Sequence, residues 1–440
     1  MAPNPTIMQA VEKLDYRVTV GDVASQAGLD IKVAEQGLLA LASEAGGHLQ
    51  VSDAGEIAYL FPQNFRSVLQ SKYFRLRLQE WWNKVWKLLF YLIRISFGIL
   101  LIASIVLIVV AITIILIALN SSRDGEGDRR ESSGGGGGIF FFPRFWFGPD
   151  LFWVFYPDYY DRRSYRRQQF HRDGDGDRMN FLESIFSFLF GDGDPNADLD
   201  ERRWRAIATV IRNNQGAVVA EQISPYLDDL GTGFDREYEA FMLPVLTRFN
   251  GRPEVSPEGQ IVYHFPELQV TASESRSTSV PAYLRESLWR FSEANGGQIS
   301  VAIGLGVLNL AGAIFLGTLL ADGTIAAEIG GLVAFVSSIY GVLLAYGIAF
   351  LTVPLIRYFW IKWRNKGVEA RNSDRQDRAV FLNEANADLQ RKISYAHQFA
   401  AQTVITASNL AYTTETDLTE QEAAQSDKID AEWRRRLEGY

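Results

Sequence analysis

Apolar positions alternate around a glycine twice in this chain. Val51-Ser52-Asp53-Ala54-Gly55-Glu56-Ile57-Ala58-Tyr59-Leu60-Phe61-Pro62 recurs as Val255-Ser256-Pro257-Glu258-Gly259-Gln260-Ile261-Val262-Tyr263-His264-Phe265-Pro266, and seven of the twelve aligned positions are identical. Period-two alternation about a residue that can reverse the chain predicts a two-strand hairpin in each copy. Ahead of the first copy, Ile7, Val11 and Leu14 mark an amphipathic stretch. Thr19 then caps a short helix that Gly28 ends, and Leu38, Leu39, Leu41 and Ala42 give the next helix its apolar face. The second copy repeats the order with Trp204, Ile207 and Ile211, then Ala220 to Ile223, then Tyr238 to Phe249, then the hairpin. Helix, short helix, helix and a two-strand wing is winged-helix order. Residues 1–66 therefore read as one winged-helix module, and residues 180–270 as an amphipathic helix followed by a second.

Between the copies the polar pattern disappears. Leu88 to Leu119 is almost wholly Leu, Ile, Val and Ala, ~48 Å long as one helix against a hydrocarbon core of ~30 Å. Residues 67–120 thus hold a first transmembrane helix and its flank. Lys72, Arg75, Arg77, Lys84 and Lys87, with Trp81, Trp82 and Trp86 as an interfacial belt, place the N-terminus on the cytoplasmic side. Residues 299–320 and 331–355 are two further spans forming a hairpin. Small residues at Ala302 with Gly306, Ala313 with Gly317, and Ala345 with Ala349 suit close helix contact. Arg357, Lys362, Arg364 and Lys366 then mark a cytoplasmic exit, with Trp360 and Trp363 at the interface. Val380, Phe381, Leu389, Ile393, Phe399 and Val404 recur at irregular helical spacing, so residues 356–440 read as a cytoplasmic helical tail. The fold class is a mainly α membrane protein with two winged-helix (α+β) modules, a long transmembrane helix, a transmembrane hairpin and a helical C-terminal tail.

Residues 121–179 are less regular. A Gly-rich loop leads into an aromatic segment, 139–156, that contains Trp146 and Trp153 together with two prolines, Arg144 and Asp150. Such a segment lies in the headgroups or makes a broken, re-entrant crossing. Arg162, Arg163, Arg166 and Arg167 follow at once. Three spans alone would put the two basic flanks on opposite sides, so the charge pattern favours a fourth crossing here, with both modules on one side.

Charge and chemistry narrow the function. The formal net charge is -9. In the first module Lys13, Arg17 and Lys32 stand against Glu12, Asp15, Asp22, Asp30, Glu35, Glu44, Asp53 and Glu56, and in the second Arg236 and Arg248 stand against Asp235, Glu237 and Glu239. Both modules would repel a duplex, so no nucleic acid is expected as a partner. Cysteine is absent, which removes disulfides, thiolate nucleophiles and Cys-ligated zinc or iron–sulfur sites. Asp173, Asp175 and Asp177, and again Asp192, Asp194 and Asn196, mimic the start of a calcium loop. Neither has Gly at the sixth position or Glu at the twelfth, so both read as solvated turns. His48, His171, His264 and His397 are scattered, and no paired nucleophile and base or phosphate loop is present. No catalytic, metal or cofactor residue is assigned. The start of the chain carries no basic n-region with an apolar core, so the first module is expected to stay on the side of synthesis.

Asn180 to Asn196, containing Phe190-Gly191-Asp192-Gly193-Asp194-Pro195-Asn196, together with Arg203-Trp204 and Asp150-Leu151-Phe152-Trp153, resembles a family of cyanobacterial and chloroplast membrane proteins of unassigned activity. The resemblance covers most of the chain from the first span onward. Plant relatives in that family carry a loose iron–sulfur cluster biosynthesis label, against which the lack of Cys speaks directly. The resemblance implies a photosynthetic cell, with the thylakoid or plasma membrane of a cyanobacterium as the setting. The expected function is a non-enzymatic membrane protein that docks other proteins through its paired modules, plausibly in assembly or maintenance of photosynthetic membrane complexes. The rivals are a membrane-tethered transcription regulator and a transporter or channel component. Membrane lipid is an expected partner; the protein partner and self-association are left open.

Overall fold

The computed structural model describes residues 4–72, 74–123, 179–273, 278–321, 323–406 and 409–438. In chain order the elements are α1 (Pro5–Lys13), β1 (Arg17–Thr19), α2 (Val20–Ala27), α3 (Ile31–Ala45), β2 (His48–Ser52), β3 (Ile57–Leu60), α4 (Phe65–Lys72), α5 (Phe74–Arg123) and α6 (Phe181–Phe190). There follow α7 (Leu199–Asn213), β4 (Ala217–Val218), α8 (Ala220–Ile223), α9 (Phe234–Glu237), α10 (Leu243–Phe249), β5 (Arg252–Val255), β6 (Ile261–His264) and β7 (Val270–Thr271). The last are α11 (Gly296–Leu320), α12 (Thr324–Ile329), α13 (Gly331–Asn383), α14 (Ala387–Ala396), β8 (Thr403–Val404), β9 (Leu410–Thr413) and α15 (Leu418–Glu438). The chain is mainly helical with small sheets. Met1–Asn83, Pro195–Leu288 and Lys366–Tyr440 form one compact unit, and Lys84–Asp194 and Trp289–Asn365 form another.

In the first unit, helix ends fall where side chains satisfy loose backbone groups. Thr19 and Asp22 make a reciprocal capping box on α2, with Asp22 N donating to Thr19 Oγ1 at 3.1 Å and Thr19 N to Asp22 Oδ2 at 2.9 Å. Gly28 at φ 65° ends α2 and Gly46 at φ 70° ends α3, both in the left-handed region that glycine reaches at low cost. β2 pairs antiparallel with β3, placing Val51 opposite Ile57, and β1 pairs with the other side of β3. The second copy gives a three-stranded sheet of order β4-β6-β5, with Val255 opposite Ile261.

The repeated signature is a repeated turn. Ser52 N donates to Glu56 O at 2.9 Å, Gly55 N to Ser52 O at 2.9 Å and Glu56 N to Ser52 Oγ at 3.1 Å. Its counterpart has Ser256 N to Gln260 O at 2.8 Å, Gly259 N to Ser256 O at 2.9 Å and Gln260 N to Ser256 Oγ at 3.1 Å. Tyr59, Phe61, Tyr263 and Phe265 beyond the turns are buried. Ser, Gly, Tyr and Phe recur because each has a fixed task, and the positions between them are free to drift.

Two expectations are corrected in this unit. Tyr238 to Phe249 is not one helix: α10 begins at Leu243, after a 3₁₀ turn at Ala240–Met242 and Glu239 in the left-handed region. Pro244 lacks the N–H that a helix running in from upstream would require, so it starts a helix instead. The tail, in turn, is not wholly helical. β8 pairs parallel with β7, Thr403 opposite Val270, and β9 pairs antiparallel with β2, Thr413 opposite Gln50. These β-branched and aromatic tail residues complete sheet edges that the modules would otherwise leave open, and the first sheet runs β1-β3-β2-β9.

Among the described residues, the second unit holds three helices long and apolar enough to cross a membrane: Lys84–Ser121 within α5, α11, and α13, whose last turns from Lys366 belong to the first unit. Ala302, Gly306 and Ala313 are buried. A Cβ on Gly306 would meet the Phe350 ring at 2.6 Å, and one on Gly347 would meet Leu310 Cα at 3.3 Å. The third expected pair is corrected, since Ala345 and Ala349 are exposed and Leu343, Gly347 and Phe350 are buried in their place. Ile108, Ala111 and Ile115 of α5 pack with Ala313, Leu316 and Val336. α6 belongs to this unit rather than to the module that follows it, because Phe181, Ile185 and Phe188 pack with Leu101, Ala302 and Phe350. The aromatic segment 139–156 with Trp146 and Trp153, the expected fourth crossing, and Arg162, Arg163, Arg166 and Arg167 lie outside the described residues.

Candidate functional site

The two copies are fused. Val23, Ala24 and Ala27 of α2 share one buried core with Ile207, Ala208 and Ile211 of α7 and with Phe249 and Phe265. At the seam stands Asp22, 4 % exposed. Its Oδ1 accepts from Arg212 at 2.6 Å and from Thr271 Oγ1 at 3.1 Å, and its Oδ2 accepts from the main-chain N of Ala272 at 2.9 Å as well as from Thr19. Arg212 also donates to Ser25 Oγ at 2.8 Å. Beside it, Arg17 donates to Gln50 Oε1 at 2.8 Å and to the carbonyls of Ala272 and Ile405 at 2.6 and 2.8 Å. Burial pushes the Arg17 guanidinium down and Asp22 partly offsets that. Asp22 and Arg17, counted in the sequence as surface charges, are joints.

The tail is fastened by a stripe of cations. Arg371, Arg375 and Arg378 sit at i, i+4 and i+7 on α13, hence on one face of the helix. Arg371 holds both Glu286 oxygens at 2.8 and 2.6 Å. Arg375, 1 % exposed, donates to Glu286 at 2.7 Å, to the Leu284 carbonyl at 3.0 Å and to Asp228. Arg378 donates to the carbonyls of Ser224 and Leu227 at 3.0 and 2.9 Å. Burial pushes the Glu286 carboxyl up, but the hydrogen bonds from Arg371 and Arg375 outweigh it and hold the group below the usual range. Lys392 of α14 reaches Glu221 at 3.0 Å and Glu239 at 2.6 Å, and Tyr263 donates to Glu239 at 2.7 Å. Sequence reasoning missed this clasp. Its signal was the three-arginine spacing on a helix with few apolar positions.

The family motif is also structural. Asp192 accepts from Arg94 of α5 at 2.8 Å, from Ser187 of α6 and from the main-chain N of Glu293 at 2.9 Å. Gly191 has φ 82°, and a side chain there would strike the Arg357 guanidinium. That guanidinium donates to the carbonyls of Ser187 and Phe188 at 3.2 and 3.0 Å and to that of Phe291, capping the end of α6. Phe190 is half-exposed and packs on Phe97. Gly193 at φ 100° provides the reversal and Asp194 and Pro195 follow it. Asn196, in the first unit, holds Ser287 N and O at 2.8 Å each. Among the described residues no group of three or more His, Asp or Glu is placed to hold a metal.

What remains open is a groove at the seam. It measures 460 Å³ and is lined by Asp30 from the start of α3 and by Trp204, Leu243, Pro244, Thr247 and Arg248. Arg248 lies 4.3 Å over the Trp204 ring and donates to the Gly28 carbonyl at 2.6 Å. Leu243 is exposed at the rim. Phe234 and Tyr238, both exposed, pack ring against ring at 4.1 Å. Of the tryptophans expected at the interface, Trp81, Trp82, Trp86, Trp360 and Trp363 are exposed.

The chain is 39 % identical over 427 residues to an uncharacterized chloroplast protein of Arabidopsis thaliana, a match that covers 94 % of this chain and 79 % of that relative. No family model matches the chain, and no solved structure does.

Asp22→Ala should destabilise the first unit by about 3–5 kcal/mol, because it strands a buried guanidinium. In thermal or urea unfolding of the detergent-solubilised chain, Asp22→Ala with Arg212→Ala should cost less than the sum of the single changes by roughly 1–3 kcal/mol; additive losses would contradict the coupling.

The depressed Glu286 carboxyl contributes stability that is complete above the ordinary carboxylate range and is lost as pH falls through its lowered value. The stability gap between the parent chain and Glu286→Gln should therefore be widest at neutral pH and close on acidification, in melts recorded across the acid range. A gap that does not vary with pH would contradict this.

Proposed function

This chain belongs to the family of the Arabidopsis chloroplast protein, and we propose on that premise that it is an integral membrane protein that docks other proteins and carries out no catalysis. The observation that carries the reading is the fused pair of modules with an open, apolar-floored groove at its seam. The charged groups nearest that seam are held by protein partners, Asp22 by Arg212 and Arg248 by the Gly28 carbonyl, which supports a structural role for them. Helix, short helix, helix and hairpin in each copy is the order of a winged helix, and we take both as that fold. A partner suited to the groove brings an apolar side chain to Trp204 and Leu243 and a cation to Asp30.

The tethered-regulator alternative needs a basic face on α3. Its outward residues include Lys32, Glu35, Gln36, Leu39 and Ser43, too few cations for phosphate contacts. We place the protein in the thylakoid or plasma membrane, in assembly or upkeep of photosynthetic complexes, with both termini cytoplasmic. On this reading the two modules, which share one core, lie on the same side of the membrane.

The chain has no native Cys, so single cysteines report without background. Gln36→Cys, Asp235→Cys and Gln390→Cys should react alike with an impermeant thiol reagent in oriented vesicles. Opposite labelling of the first two would exclude a shared docking surface.

A photo-crosslinker at Leu243, in native membranes, should capture a partner that one at Glu258 on the second hairpin does not. Trp204→Ala should reduce that capture about tenfold or more, as loss of a buried aromatic anchor does. Equal capture from both positions, or capture indifferent to Trp204, would count against the groove.

A further inference from the structure

α13 carries no acidic residue from Gly331 to Val368. Of its cations in the second unit, Arg357 is engaged with three carbonyls. Arg364 is arranged differently. Its guanidinium lies 4.2 Å from the Trp289 ring centroid and 5.1 Å from that of Trp360, and the two rings meet edge-on at 5.6 Å and 77°. Trp289 is itself held in place, because Asn365 accepts from its main-chain N at 2.9 Å and donates to its carbonyl at 3.0 Å. Among the described residues no carboxylate or carbonyl accepts a hydrogen bond from Arg364. The guanidinium thus lies against two tryptophan rings, and its donors are unused among the described residues.

We infer that Arg364, Trp289 and Trp360 form a seat for the anionic headgroup of a membrane lipid. A guanidinium presents paired N–H donors that match a phosphate or sulfonate oxygen pair, and stacking on tryptophan fixes its plane before the ligand arrives. The choice of a lipid over a free anion rests on the neighbours. Leu355, Ile356, Phe359 and Trp363 are exposed on the same stretch of helix, at the end of an apolar span, and give acyl chains a surface that inorganic phosphate would not use. A nucleic acid or an acidic peptide would have to leave those side chains uncovered.

The test uses the full-length chain in phosphatidylcholine nanodiscs into which phosphatidylglycerol is titrated, with lipid retained on the protein read by native mass spectrometry after release. The parent chain should keep phosphatidylglycerol in preference to phosphatidylcholine. Arg364→Ala should lower that retention about tenfold, the scale of a lost charge-assisted pair. Arg364→Lys, which keeps the charge without the fork, should recover only part. Unchanged hydrogen-exchange protection of α11 and α13 in Arg364→Ala would show that the variant folds; retention that falls only in step with lost protection would overturn the site. Equal retention of the two lipids, or no loss in Arg364→Ala, would overturn it as well. Competition by inorganic phosphate as effective as by phosphatidylglycerol would reassign the site to a free anion and overturn the lipid assignment.

Discussion

A carboxylate taken out of water must be met by donors, and Asp22 is met from three directions. Thr19 supplies a donor from the cap of its own helix, the second copy's α7 supplies Arg212, and the stretch from β7 onward supplies Thr271 and Ala272. An unpaired charge at that depth would cost several kcal/mol, so the segments have to arrive together. The tail follows from the same seam, since Ala272 and Ile405 share the Arg17 guanidinium and β8 lies against β7. Side chains from residues 17, 22, 212 and 271, with the tail carbonyl at 405, therefore stabilise one place.

This has a consequence for how the chain can be threaded. The first unit is assembled from stretches on either side of α5 and again on either side of the α11–α13 hairpin. Stretches far apart in sequence therefore meet in one core, Asp22 with Arg212 and Glu286 with Arg375. Contacts of such long sequence separation form slowly.

Local features were legible in the sequence because local physics sets them. Thr19, Gly28, Gly55 and Gly259 each answer a nearby backbone need, and the three long apolar runs declare themselves by length. What could not be read depends on partners far along the chain. Thr403–Val404 and Leu410–Thr413 have no reason to be strands until β7 and β2 offer an edge. The carboxylates counted against DNA binding, Glu239 and Asp22 among them, turned out to be paired with Lys392 and Arg212. Small residues misled once, at Ala345 and Ala349, because helix rotation selects which of two small faces is buried and composition does not reveal it. The Phe190 to Asn196 string stood out as specific, yet its task as a clasp at Asp192 and Gly191 emerges only with Arg94 and Arg357 beside it.

The groove marks the place where the duplication is imperfect. In the first copy α3 runs for 15 residues from its Asp30 cap, whereas in the second the equivalent stretch is interrupted and restarts at Leu243 with Pro244. Had the second copy kept an unbroken helix, its first turns would occupy the space that Leu243, Pro244 and Thr247 now border. In the structure Trp204 lies under Arg248, meets Phe249 edge-on at 6.2 Å and donates to Asp200, and Asp30 of the first copy completes the wall. Two equal modules would have buried like against like and ended as a closed pair. Fusing unequal ones leaves an apolar floor that neither could present alone, and it is held rigid by the same helices, α2 and α7, that carry the Asp22–Arg212 pair.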